Sequence, residues 1–118
     1  MTGAQVRSLC LSLPEATEKA TWGDEEHAGH PTFRVRDKIF VIMADDGSGG
    51  SIRTSLGEQS DLMSAFPEAA RSAAYVGRYG WVDVDFKGIP DEVLREVIEA
   101  AWARTAPKKL AAAWRESR

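Results

Sequence analysis

Val6, Leu9, Cys10 and Leu13 recur at intervals of three and four, the spacing of one apolar helical face, and Thr2 and Gln5 sit ahead of them as a capping box. Pro14 closes that helix, because a proline cannot continue the hydrogen-bond ladder. The period then shortens to two. Residues 17–22 form a short candidate strand. Over residues 30–36, Phe33 and Val35 alternate with Thr32, Arg34 and Arg36, which predicts a half-buried strand with both arginines on its outer face. Asp37 supplies the tight turn, since aspartate tolerates unusual backbone angles. Residues 38–44 are almost continuously apolar and mark a central strand. Residues 45–50 (DDGSGG) read as a hairpin loop and 51–54 as a short strand.

Ser55 and Glu58 form a second capping box, opening a helix that runs to about Phe66. Residues 71–76 and 81–87 then read as a hairpin around a turn at 77–80. Pro90, with Asp91 and Glu92 at a helix N-terminus, opens a long helix whose apolar stripe is Leu94, Val97, Ile98, Ala101 and Trp102. A short helix bearing Leu110 and Trp114 follows the break at Ala106 and Pro107. The order predicts an α+β protein, a single domain over residues 1–118. Its core is an antiparallel sheet of about five or six strands, with N- and C-terminal helices packed on one face. Such a sheet can leave its other face to solvent. In the last strand Val82, Val84 and Phe86 point to the core, so Trp81 shares the opposite face with Asp83 and Asp85. That Trp81 is an exposed aromatic platform, or is covered by Trp22, Tyr75 or the C-terminal segment, are the two readings the pattern allows.

Charge modifies this picture. The 118 residues carry a net charge of −3, which does not by itself indicate a nucleic-acid partner. The distribution is uneven: residues 15–26 hold five acids and one lysine, whereas 104–118 hold five basic residues and one glutamate. No apolar run is long enough to span a bilayer, and the N-terminal segment reads as an amphipathic helix rather than a targeting sequence, so a cytoplasmic protein is expected. Cys10 is the one cysteine, which excludes an internal disulfide, and its helical face marks it as a small buried hydrophobe.

Several segments, LSLPEATEKATWG, HPTFRVRDKIFVIM, YVGRYGWVDVDF and RTAPKKL, together resemble the MmcQ/YjbR-like family of small bacterial proteins, over most of residues 11–110. The resemblance implies a frataxin-like fold, with two helices on an antiparallel sheet, and a DNA-binding role through a double-wing arrangement. Some members carry a purine formyltransferase label, but nothing in this chain resembles that catalytic constellation. Two features depart from the family pattern. Asp37 stands where a glycine is common in the first hairpin turn, and the loop containing DEEHAG is enlarged by acids and histidine. Carboxylates there would repel phosphate.

On this basis the expected phosphate contacts are Arg34, Arg36, Lys38, Arg53 and Arg78, with Trp81 giving apolar contact, in a non-enzymatic DNA-binding protein without a cofactor. The competing expectation is a small-ligand or protein-interaction module on the sheet face around Trp81. His27 and His30, beside Asp24, Glu25 and Glu26, have metal-ligand chemistry, but a solvated acidic loop is the better account of them, so no metal is assigned. No nucleophile elbow or phosphate-binding glycine loop is present in the sequence.

Overall fold

The computed structural model describes residues 1–23 and 29–118. Helix α1 (Gly3–Ser12) begins at Thr2, whose hydroxyl accepts the Gln5 N–H while the Gln5 side chain accepts the Thr2 N–H. The capping box is therefore complete. Strands β1 (Ala16–Thr21), β2 (His30–Val35), β3 (Lys38–Met43) and β4 (Gly49–Arg53) follow as an antiparallel meander. Helix α2 (Leu56–Ala65) leads to β5 (Ala70–Ser72) and β6 (Trp81–Asp85), and helices α3 (Asp91–Thr105) and α4 (Lys108–Glu116) complete the described chain. The sheet order is β1-β2-β3-β4-β6-β5, so β6 inserts beside β4 and the short β5 forms an edge.

The helices cover one face of this six-stranded sheet. Val6, Leu9 and Cys10 of α1 and Leu94, Ile98 and Trp102 of α3 pack in one core with Phe33, Val41, Ile52, Val82 and Val84 of the strands. The α+β architecture expected from the sequence is present, with helices near both ends of the chain on the same side. Trp102 is the largest fully buried side chain, and its indole N–H donates to the Pro14 carbonyl at 3.0 Å, tying α3 to the end of α1. Trp114 of α4 packs against it with 5.1 Å between ring centroids.

The unbroken apolar run of β3 has a geometric cause. Phe33 pairs with Val41, but Arg34 pairs with Ile39, so Phe40 is an extra residue in a bulge. The bulge lets Phe40 and Val41 both enter the core. The structure differs from the sequence reading in local detail, including β6, which ends at Asp85 before a 3-10 turn over Phe86–Gly88. Gly49 and Gly50 belong to β4 rather than to the preceding loop. Ser55 accepts the Glu58 N–H at 3.1 Å, but the Glu58 carboxylate pairs with Arg104 instead of closing the box. The strand expected over 71–76 ends at Ser72, because Tyr75 turns the chain with a φ of +63° and the Val76 N–H bonds back to Ala74 at 2.7 Å. This is a γ-turn of the strained, positive-φ kind. A 3-10 turn over Gly77–Tyr79 then leads into β6.

Cys10 is fully buried, and that burial pushes its thiol up to about 12. A thiol in this state forms little thiolate near neutral pH. A disulfide reagent at pH 8 should therefore label no thiol in the native chain and one after denaturation in guanidinium. Rapid labelling of the native protein would contradict this packing of α1.

Candidate functional site

The sheet face away from the helices is divided by charge. Register places Arg53 beside Trp81, and Ser51 beside Asp83, across the β4–β6 pair. Around the Arg53–Trp81 end lies a shallow groove of about 600 Å³. Arg34, Lys38 and Arg53 bring positive charge to it, Ile39, Tyr79 and Trp81 give it apolar walls, and Asp37 is its one carboxylate. At the other end a depression of about 330 Å³ is lined by Asp83 and Asp85, with His30, Ser51 and Arg71. Ser51 donates to Asp83 there, and His30 Nδ1 lies 2.8 Å from Asp45.

Four of the six residues expected at the DNA interface, the phosphate-directed Arg34, Lys38 and Arg53 and the apolar Trp81, thus converge on one groove. Their freedom differs. The Arg34 side chain is only 14% exposed. Its guanidinium donates to Thr32 Oγ1 at 3.2 Å, Thr21 Oγ1 at 3.0 Å and the Asp37 carbonyl at 3.3 Å. Its guanidinium also lies 3.4 Å from the Asp37 carboxylate, so it is a fixed charge held by three neutral acceptors and one exposed carboxylate. Arg53 is partly buried and donates to Thr105 Oγ1 at 3.3 Å. Lys38 is exposed at the start of β3. Among the described residues neither Lys38 nor Arg53 forms an ion pair. Trp81 is half-buried, so its ring is neither free of the sheet nor covered by it.

Arg36 is placed differently from the expectation. It occupies the β2–β3 turn with a φ of +50°, next to Asp37 at +66°, instead of continuing the outer face of β2. Two consecutive positive-φ residues make the two-residue turn that matches the twist of a hairpin. Arg36 then forms a two-pronged ion pair with Glu15, which holds the Glu15 carboxyl below its usual range. A carboxyl lowered in the folded state stabilises above its unfolded value, about 4.3, and that contribution disappears as pH falls through the folded one. Glu15→Gln should accordingly be less stable than the parent at neutral pH, and the gap should close in urea titrations carried toward pH 3. A gap unchanged by acid would exclude the ion pair as its source.

Arg78 lies outside the groove lining, with its guanidinium 4.8 Å above the ring of Tyr79. Tyr79, 65% exposed, and Ile39 line the groove although neither was singled out from sequence. Tyr79 stands two residues before Trp81 across a glycine, a spacing that could have signalled a second ring on that turn. Gln59 builds the turn from beneath: its buried amide donates to the Gly77 carbonyl at 2.8 Å and the Trp81 carbonyl at 2.7 Å. The metal reading of the acidic loop rests on residues 24–28, which lie outside the described residues. Among the described residues no group of three histidine, cysteine or acidic side chains is placed to hold a metal, and no helix is long and apolar enough to cross a membrane.

Fold and face together define a small α+β domain with an antiparallel sheet open on one side and polarised across it. The YjbR family model matches residues 11–104, and the chain belongs to the YjbR family. A crystal structure of a Deinococcus radiodurans protein with a DUF419 domain has the same fold, at a TM-score of 0.73 and 22% identity, covering 86% of this chain and 76% of that one. No curated protein matches the sequence.

Proposed function

We propose that the protein is a non-enzymatic DNA-binding member of the YjbR family that meets the nucleic-acid backbone at the basic end of its open sheet. The observation that carries this reading is the convergence of Arg34, Lys38 and Arg53 with Tyr79 and Trp81 on one groove, in a chain whose net charge is −3. Phosphate contacts give affinity without reading sequence, and aromatic rings add sequence-tolerant stacking. Arg36 and Arg78 extend the positive surface beyond the groove, Arg36 with its charge largely met by Glu15.

Anisotropy titrations of labelled DNA at low and moderate salt test the reading. Up to three phosphate contacts, one for each groove cation, give a log–log salt slope no steeper than about −2 on single strands and about −3 on duplex. Lys38→Gln combined with Arg53→Gln should flatten the slope and weaken binding about ten-fold or more. Absence of binding at low salt, or binding indifferent to this double change, would refute a DNA role for the groove.

The alternative, a small-ligand or protein-interaction module on the sheet face around Trp81, draws support for a protein partner from the adjoining turn before β6. Tyr75 is 94% exposed with a positive φ, and Val76 and Tyr79 beside it are exposed as well. It predicts partner capture with little salt dependence that is lost on Tyr75→Ser.

A further inference from the structure

We propose that the groove at Trp81 accepts one unpaired nucleotide, a planar base bearing a phosphate, supplied as a free mononucleotide or as the end of a single strand. This rests on the DNA-binding reading and narrows it to a ligand class.

The size of the positive region sets the limit. Three cations meet at the groove, but Asp83 follows Trp81 by two residues on the same strand and Asp85 by four. At about 3.3 Å per residue these carboxylates lie roughly 7 and 13 Å along β6. The first is within a Debye length of about 8 Å at physiological salt. A duplex carries a charge for every ~1.7 Å of axis, so lying across the face it would bring several phosphates over Asp83 and Asp85. A single phosphate can sit at the cationic end alone.

The side chains divide between phosphate and base. Lys38 and Arg53 have no carboxylate partner among the described residues, so their charge is available to an incoming anion. Arg34 is already oriented by Thr21, Thr32 and Asp37, whose carboxylate offsets part of its charge, and adds a fixed guanidinium without the ordering cost of a mobile arginine. Trp81 and Tyr79 offer ring surface on the same groove, which suits a base only when it is not stacked in a helix.

The experiment uses the full chain and three fluorescein-labelled DNA probes: an oligothymidylate, a blunt duplex of equal length, and a duplex with a single-stranded overhang. The single strand and the overhang should bind about ten-fold or more tightly than the blunt duplex. Thymidine monophosphate should displace them, whereas thymidine and inorganic phosphate should not. Displacement by the mononucleotide assigns a free nucleotide as sufficient ligand, and strand binding without that displacement assigns the strand end. Trp81→Leu, checked for folding by circular dichroism, should weaken single-strand binding by roughly ten-fold. Equal or tighter binding of the blunt duplex overturns the unpaired-nucleotide inference while leaving DNA binding intact. Competition by inorganic phosphate as strong as by the mononucleotide also overturns it, because the base would then be unread. No binding of any probe at low salt removes both readings.

Discussion

Trp102→Ala should lower the stability of the protein by about 3–5 kcal/mol, measured as the free energy of unfolding in urea. The indole is fully buried and stands where three helices meet. It belongs to α3, its N–H reaches the Pro14 carbonyl after α1, and its ring packs on Trp114 of α4. Truncation removes the largest buried side chain, opens a cavity that surrounding backbone cannot fill, and leaves the Pro14 carbonyl without its donor. Domains of this size have a total stability of about 5–15 kcal/mol, so the change takes a large share of it. Trp102→Phe separates the contributions, because it keeps most of the ring and loses the hydrogen bond. A cost of about 1–2 kcal/mol is expected for that variant. A loss below about 1 kcal/mol for the alanine variant would show that α3 is not anchored through this residue.

The same residue shows what a sequence of this kind reveals. Trp102 belongs to a stripe that repeats with helical period, and a helix announces its buried face locally because every third or fourth residue shares it. The stripe of α1 was legible for the same reason, and so was the alternation that set Trp81 against Val82 and Val84. Strand pairing is not local. Phe40 shifts the β2–β3 register by one, so counting outward from Phe33 does not reveal that Ile39 shares the open face with Arg34. Arg36 continues the alternation of β2 on paper, yet the positive φ of the turn removes it from the sheet and gives it to Glu15. The carboxylate-lined depression was hidden too. Asp83 and Ser51 become neighbours only because β6 inserts beside β4, displacing β5 to the edge.

The candidate groove was legible as residue types more than as a place. Arginine, lysine and tryptophan on strands suggested an anion-binding face, and Arg34, Lys38, Arg53 and Trp81 do meet. What brings them together lies partly in neutral residues that attract no notice in a sequence. Gln59 holds the Gly77–Trp81 turn through two carbonyls, and Thr54 donates to the Gly80 carbonyl. Thr21 and Thr32 decide where the Arg34 guanidinium points. Such residues are conformational supports, and their role follows from the geometry they complete.

Gly80 is the support with the least tolerance, and Gly80→Ala should destabilise the fold by at least about 1–3 kcal/mol. Its φ is +102°, a conformation that side-chain-bearing residues rarely adopt. A Cβ there would also stand 2.9 Å from the Ser55 carbonyl carbon and 3.0 Å from that of Thr54. Both are backbone atoms, so no side-chain rotation relieves the contact. The turn would have to move away from the 54–55 segment, and Tyr79 and Trp81, which flank Gly80, would move with it. The variant should therefore lose the DNA affinity proposed for the groove as well as stability, even at temperatures where it remains folded. Gly57→Ala supplies the opposite case on the same elements. It lies in α2, where a Cβ meets nothing closer than the Ser55 hydroxyl at 3.8 Å, and it should gain about 0.5–1 kcal/mol from the improved helix former. Opposite signs for these two glycine-to-alanine changes, read in the same urea titration, would establish that the Gly80 turn is held by backbone packing against the start of α2. Equal and small effects would mean the turn can reshape without cost, and the groove would then lose its fixed wall.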